Sequence, residues 1–258
     1  MSGSNEPKAR ARVRAEIETW GTIIFLDVAS ESVGESELNI GIEKVRQYFY
    51  FINETFSTYI PESEISRLRA GKLSLADCHA DVHEVWAACE YAKEISDGFF
   101  DPWCVEGGFD PSGYVKGWAA DKGIEILKAN GAQNIQINCA GDLSLAGGFE
   151  NGKPWNIGIR HPEEKHTIVK VFDIMDGAIA TSGTYERGAH IRDPHTGLIA
   201  LGARSATVYG PDGGLADALA TALVVSGREG AYLFMKPELE QYNCWVIDRH
   251  GDQAWSPK

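Results

Sequence analysis

The stretch from residue 213 to residue 227 constrains the fold of this 258-residue chain more than any other. Gly213 and Gly214 open it, and apolar residues then recur at helical spacing, which predicts a mostly apolar helix that runs into the core. Asp217 and Thr221 interrupt that surface four residues apart, so they share one helix face. A carboxylate and a hydroxyl together suit a hard cation such as Mg²⁺. Ordinary helix chemistry is the alternative, because Asp interacts well with a helix N-terminus and a mid-helix Thr often bonds back to a carbonyl.

The overall charge limits the ligands that the chain binds. It has 37 acidic and 24 basic residues and a formal net charge of -13, which argues against sequence-independent binding to nucleic acid or to an anionic membrane. An acidic protein that handles phosphates therefore needs a cation or local backbone N–H groups. Five cysteines without a CxxC pair fit free thiols in a reducing compartment. The N-terminal residues lack an apolar signal region, and no stretch approaches about 18 consecutive apolar residues. We expect a cytoplasmic protein without membrane insertion.

The pattern along the chain predicts an α+β domain over residues 15–258, after a disordered lead-in over residues 1–14. Residues 17–28 are rich in β-branched and aromatic side chains and predict one strand with a buried centre. Besides the apolar helix from residue 213, helices are predicted over residues 38–57, 81–96, 118–130 and 229–237. Ser63 and Glu64 can open a further short helix through Ile65 and Leu68. Because antiparallel strand pairs alternate with the helices, we expect mainly antiparallel sheets with packed helices and not a doubly wound parallel sheet.

Two more segments have residue types found in phosphate or catalytic sites. Residues 107–117 are rich in glycine and lead into a helix, so backbone N–H groups and Lys116 can hold a phosphate. A flexible turn with a solvated lysine is an equal alternative. Residues 188–197 contain His190, Asp193 and His195, groups that commonly transfer protons, although a single histidine is more often structural.

Eight short stretches occur in the order typical of one protein family. They are Trp20-Gly21-Thr22 and residues 56–66, 97–102, 110–117, 140–142, 180–187, 190–197 and 215–221. On these stretches the chain resembles the FAD:protein FMN transferases, the ApbE family. Trp20 stands where the family usually has a methionine, and residues 103–109 form a shorter segment than in typical members.

The resemblance implies an ApbE-like or T-fold-like architecture and an enzyme that carries out protein flavinylation. Such an enzyme binds FAD with Mg²⁺, transfers the FMN half to a Ser or Thr hydroxyl of an acceptor protein and releases AMP. It implies that Asp217, Thr221 and the backbone carbonyl of Gly113 hold the metal. His190 is implied in flavin transfer. The residues implied to contact FAD are Trp20, Tyr59, Phe99, Phe100, Asp101, Asp110, Lys116 and Ile191.

The residue chemistry agrees with this function. A metal that bridges the phosphates makes attack by a neutral hydroxyl feasible, and Lys116 adds a second positive charge. A hydroxyl is a weak nucleophile, so a base within hydrogen-bond distance is needed; His190 is the first choice and Asp217 the second. Two alternatives stay open: an Mg²⁺-dependent FAD pyrophosphatase that yields FMN and AMP, and a flavin-binding carrier without turnover. A base beside a metal favours an enzyme over a carrier.

Overall fold

The computed structural model describes residues 10–150, 152–164, 166–184, 191–250 and 254–256. The strands are β1 (Ala11–Thr19), β2 (Thr22–Ser30), β3 (Asn134–Cys139), β4 (Asp142–Ala146), β5 (Trp155–Arg160), β6 (Ile168–Ile174), β7 (Gly177–Gly183), β8 (Ala203–Gly210), β9 (Asn243–Asp248) and β10 (Ala254–Trp255). The helices are α1 (Glu35–Phe56), α2 (Glu64–Arg69), α3 (Ala80–Ile95), α4 (Val115–Ala129) and α5 (Gly213–Ser226). Helices α1, α3 and α4 confirm three of the predicted helices.

Eight strands form one sheet in the order β1-β2-β3-β4-β7-β8-β9-β10, and its neighbouring strands are antiparallel. Strands β5 and β6 form a separate antiparallel hairpin. Its apolar side chains, including Trp155 and Ile157, cluster with Leu143 and Ile179 of the large sheet. The α+β prediction with mainly antiparallel sheets is confirmed.

The helices α1, α4 and α5 cover the face of the sheet opposite the β5–β6 hairpin. In β2 the side chains of Ile24 and Leu26 are buried under the helices, whereas Phe25 between them is 49% exposed, as the alternation of a strand requires. Helix α5 packs on β7, β8 and α4, and every residue of it except Thr221 is buried. The apolar helix predicted from residue 213 is therefore the centre of the core.

The strand predicted over residues 17–28 is wrong, because two strands occupy this region. Trp20 and Gly21 have φ angles of +57° and +69° and form a two-residue turn between β1 and β2. Turns with two positive φ angles usually carry Asn or Gly at the first position, so Trp20 hid the hairpin. The lead-in predicted to end at residue 14 is also wrong for its last residues, since β1 begins at Ala11 and pairs with Ser30.

The helix predicted over residues 229–237 is present as a 3₁₀ helix that runs from Gly227 to Met235. Among the described residues, no helix combines the length and the apolar character that a bilayer crossing requires.

Candidate active site

A cleft of about 270 Å³ opens where the start of α4 meets α5. Nine of the residues predicted to form the site line it: Phe99, Phe100, Asp101, Asp110, Gly113, Lys116, Ile191, Asp217 and Thr221. We call it the charged cleft. Trp20 and Tyr59 line a neighbouring cleft of about 390 Å³, the aromatic cleft, which also includes Ile52 and Phe56. Ser112 and Lys116 line both, so the two clefts adjoin. His190 lies outside the described residues.

Lys116 is the centre of the charged cleft. Its Nζ donates to Asp217 Oδ2 at 2.9 Å and to the Ser112 carbonyl at 3.2 Å, and it lies 3.1 Å from Asp142 Oδ2. Asp217 and Asp142 are only 3% and 6% exposed. Burial alone would lower the pKa of Lys116, but attraction by the two carboxylates outweighs it and raises the pKa above its ordinary value. The lysine is therefore charged at neutral pH, and Lys116, Asp142 and Asp217 form the lysine–aspartate cluster.

Thr221 faces the same cleft one helical turn after Asp217. Its hydroxyl lies 3.0 Å from the hydroxyl of Ser182 on β7. A Cβ atom placed on Gly113 would lie 3.6 Å from Thr221 Oγ1, so the backbone of Gly113 passes close to that hydroxyl. The three residues predicted to hold a metal thus come together in space, although more than 90 positions separate Gly113 from Asp217 along the chain.

The other two acidic residues of the cleft have partners in the protein. Asp110 accepts a hydrogen bond from the Ser112 backbone N–H at 3.0 Å, which caps the turn that leads into α4. Asp101 pairs with Lys93 at 2.7 Å and accepts from the Trp103 backbone N–H at 2.9 Å. These contacts hold both carboxylates at the mouth of the cleft.

The four predicted aromatic contacts differ in how much surface they present. Phe100 is 4% exposed and mainly contributes to the core, and Phe99 meets the His195 ring edge-on at 5.0 Å. The Trp20 ring packs 5.1 Å from the Phe49 ring, and its Nε1 donates to the Phe49 carbonyl. Tyr59, in contrast, is 94% exposed. Of the two predicted contacts in the aromatic cleft, the Trp20 ring is therefore packed against the core and the Tyr59 ring is open to solvent.

The segment before Asp110 is short but well packed. The Trp103 ring stacks on Phe109 at 5.1 Å and meets Trp86 of α3 edge-on at 5.1 Å. Arg69 of α2 donates to the Glu106 carbonyl. Residues 103–109 thus fold back on α2 and α3 beside the cleft.

Sequence reasoning did not select Asp142 or Ser182 as site residues. Both lie in stretches that had been matched to the family, at the start of β4 and on β7. Asp142 directly follows the Ala140-Gly141 turn, in which both residues have positive φ angles, so a sharp turn before an Asp was the available signal. Asp193 and His195 instead belong to a turn in which the Asp193 carboxylate accepts from the His195 backbone N–H at 2.9 Å.

The donor atoms of the charged cleft suit a hard cation. They are carboxylate and hydroxyl oxygens, which Mg²⁺ prefers, and an ammonium group already lies between the two carboxylates. Within the described ranges, His, Cys, Asp and Glu form no group of three or more that holds a metal by itself. A metal here would need the Thr221 hydroxyl or a backbone carbonyl as well.

A model of the ApbE family matches residues 20–106 and 105–246 of the chain. The chain belongs to the ApbE family. The family match includes every residue selected for the site from the sequence. The chain is 35% identical over 130 residues to an FAD:protein FMN transferase of Vibrio cholerae, a match covering 46% of this chain and 39% of the relative. It is also 35% identical over 128 residues to one of Rhodobacter capsulatus, covering 46% and 24%. The matches span less than half the length of these relatives.

Solved ApbE structures share the fold. The ApbE protein of Thermotoga maritima superposes with a TM-score of 0.82 at 21% identity, covering 95% of this chain and 96% of that one. The flavin transferase ApbE of Vibrio cholerae superposes with a TM-score of 0.80 at 22% identity, covering 96% and 97%.

Proposed function

We propose that this ApbE-family protein is an FAD:protein FMN transferase that moves FMN from FAD to a Ser or Thr hydroxyl of an acceptor protein. The reaction requires Mg²⁺ and releases AMP. The observation that carries the proposal is the lysine–aspartate cluster beside Thr221 and Gly113, which offers hard oxygen ligands and a fixed positive charge in one cleft. The names of the curated relatives support flavin transfer.

In this proposal Asp217, Thr221 and the backbone carbonyl of Gly113 hold Mg²⁺. The bound metal neutralises the pyrophosphate charge and polarises the phosphate oxygens. Lys116 supplies a second positive charge, and its position on the boundary of both clefts suits the middle of FAD. Because FAD has a ring system at each end of its pyrophosphate, one ring lies in the aromatic cleft by Trp20 and Tyr59.

The other end of FAD extends along the charged cleft. There Phe99, Phe100 and Ile191 offer apolar contact, and Asp101 and Asp110 offer acceptors for ribose or ring N–H and O–H groups. Phe100 presents only the small part of its ring that is not buried in the core.

The transfer itself is a displacement at phosphorus. The acceptor oxygen forms a bond to the phosphorus of the FMN half, the bond from that phosphorus to the oxygen shared with AMP breaks, and AMP leaves with that oxygen. The hydroxyl proton goes to a base, for which His190 is our first candidate and Asp217 our second. In the structure Asp217 is already engaged by Lys116, which favours the histidine.

We further propose that the predicted domain of residues 15–258, extended to the start of β1 at Ala11, acts as one transferase domain in the cytoplasm. All five cysteines are free. Burial raises the pKa of Cys89 and Cys139 above the ordinary thiol range, so these thiols stay protonated and unreactive. Free thiols of this kind suit a reducing compartment.

The test is to incubate the protein with FAD, Mg²⁺ and candidate acceptor proteins and to look for flavin fluorescence that survives denaturation. Fluorescence on the acceptor, together with released AMP, supports transfer. FMN and AMP formed without an acceptor would indicate the pyrophosphatase, and tightly bound FAD without product would indicate a carrier. The variant His190→Ala should slow transfer far more than it weakens FAD binding; the opposite result would make His190 a binding residue.

A further inference from the structure

A third carboxylate, that of Asp121, follows Lys116 by five residues on α4. Its Oδ1 accepts a hydrogen bond from the Ser144 hydroxyl at 2.6 Å, and its Oδ2 accepts from the Gly213 backbone N–H at 2.6 Å. Ser144 belongs to β4 and Gly213 to α5. One side chain therefore connects the three elements that carry the cluster, since Lys116 is on α4, Asp142 on β4 and Asp217 on α5.

Each partner of Asp121 is in register with a member of the cluster. Ser144 comes two residues after Asp142, so both side chains point to the same face of β4, toward α4. Gly213 comes four residues before Asp217, which is about one turn of α5. A shift of either element at Asp121 is therefore passed on to a carboxylate that contacts Lys116.

Helices α4 and α5 are closely packed around Asp121. A Cβ atom on Gly117 would lie 2.1 Å from the Gly213 carbonyl oxygen, so the backbones of α4 and α5 are in direct contact at their first turns. A Cβ atom on Gly213 would lie 3.1 Å from Asp121 Oδ1. At this close crossing, the hydrogen bond from Gly213 holds α5 against α4, and the hydrogen bond from Ser144 holds β4 against α4.

We propose that Asp121 is a positioning residue that sets the spacing of Lys116, Asp142 and Asp217 and thereby the affinity of the cleft for its metal. The proposal rests on the proposed function, in which Asp217 holds Mg²⁺. Burial raises the pKa of Asp121 to about 6, against the opposing effect of its hydrogen bonds from Ser144 and Gly213. The chain thus keeps a partly buried carboxylate at a place where an apolar side chain would fill the space without that cost.

The test compares Asp121→Leu with Asp121→Asn in the full-length protein. Mn²⁺ is the probe, and its binding without FAD is followed by electron paramagnetic resonance at a temperature where every variant is folded. Asp121→Leu should weaken Mn²⁺ binding about 10-fold or more, because α5, which carries Asp217, loses the hydrogen bond that holds its first turn to α4. Asp121→Asn should stay within about threefold, because its amide oxygen still accepts from Gly213 N–H and its amide N–H can donate to Ser144 Oγ.

Two control variants separate positioning from general destabilisation. Leu127→Ala removes a fully buried side chain from the same helix, away from the cleft, and should lower the melting temperature without changing Mn²⁺ affinity. Ser144→Ala removes one of the two hydrogen bonds and should weaken Mn²⁺ binding about fivefold, as expected for one hydrogen bond. If Asp121→Leu does not fold, the Mn²⁺ affinity of Ser144→Ala tests the proposal instead.

The outcomes also distinguish the two proposals. Unchanged Mn²⁺ affinity in folded Asp121→Leu would overturn the positioning role, and if that variant does not fold, unchanged affinity in Ser144→Ala would do so. Equal weakening of Mn²⁺ binding by Leu127→Ala would overturn it as well. None of these results would affect flavin transfer by the wild type. A wild-type protein that binds no Mn²⁺ would overturn the metal site and the positioning role together.

Discussion

The two adjoining clefts are built in opposite ways. In the charged cleft the functional groups are buried and fixed by the protein, with Lys116 held between Asp142 and Asp217. In the aromatic cleft the Trp20 ring is packed on Phe49, but Tyr59 is 94% exposed and has no fixed position against the core. The difference teaches that charge is preorganised where the proposed function breaks a bond, whereas ring contact can be completed when the ligand binds.

This comparison predicts two kinds of mutational effect. Changes in the charged cleft should alter catalysis, metal binding and stability together, because each group there supports the others. Changes at Tyr59, the exposed side chain of the aromatic cleft, should alter ligand affinity alone. The following predictions test that division, from the largest expected effect to the smallest.

Asp217→Ala should reduce Mg²⁺-dependent turnover about 10³-fold or more, because in the proposed function it removes the carboxylate that holds the metal. Thr221→Ser keeps the hydroxyl and is the matched control, which should retain most activity. The measurement is the initial rate of FMN transfer at saturating FAD. If Asp217→Ala were nearly as active as the wild type, the proposed metal site would not lie in the charged cleft.

Lys116→Met should lower the free energy of unfolding by about 3–5 kcal/mol, because it leaves two buried carboxylates without their cation. Mg²⁺ should restore much of this loss, since a cation that binds only the folded state stabilises it. Urea unfolding with and without Mg²⁺ measures both effects. Lys122→Met is the control. Lys122 is on α4, like Lys116, but its ion pair with Glu84 of α3 is at the surface. Loss of this pair should lower the free energy of unfolding by about 1 kcal/mol or less. Equal losses in the two variants would contradict the special role of the cluster.

Asp121 should make stability depend on pH. Its pKa is raised to about 6 in the folded protein, against about 3.9 when unfolded. Between these values Asp121 binds more protons in the folded state, so its contribution to the free energy of unfolding should fall as pH rises, by up to about 3 kcal/mol between pH 4 and pH 7. Asp121→Asn should lack this fall, as measured by urea unfolding at both pH values. Asp173→Asn, at an exposed position on β6, is the control and should keep the wild-type pH profile. If Asp121→Asn also keeps that profile, the pKa of Asp121 is not raised in the folded protein.

Tyr59→Ala should weaken FAD binding about fivefold, or about 1 kcal/mol, through loss of one aromatic contact. Its turnover at saturating FAD and its melting temperature should stay unchanged, because the side chain contributes little to the core. Tyr59→Phe keeps the ring and should bind FAD like the wild type. Flavin fluorescence titration measures the affinities, and a large loss of turnover in Tyr59→Ala would break the division between the two clefts.

Local patterns predicted most of the helices and the fold class. The apolar periodicity of α1, α3 and α5 reflects which of their residues must be buried, so the sequence alone reveals these helices. The β1–β2 hairpin was missed because Trp20 occupies a turn position with a positive φ angle, which apolar patterning does not reveal. The sequence did not distinguish the 3₁₀ helix from Gly227 to Met235 from an α-helix, because side chains at i and i+3 share a face in both.

For the site, the sequence identified residues but not their partners. Asp217 and Thr221 were found together because four residues along a helix is a local distance. Asp142 and Asp121 were missed, since each is important only through contacts with elements that are remote along the chain, at Lys116 and at Gly213.

The sequence by itself determined the family, the central apolar helix and the oxygen-bearing pair on it. Those features depend on residue identity, order and short spacing. Only the tertiary structure decided that Lys116 lies between two carboxylates, and that Asp121 connects the elements beneath them. The physical reason is that hydrogen bonds and ion pairs act over about 3 Å, and only folding brings α4, β4 and α5 within that distance.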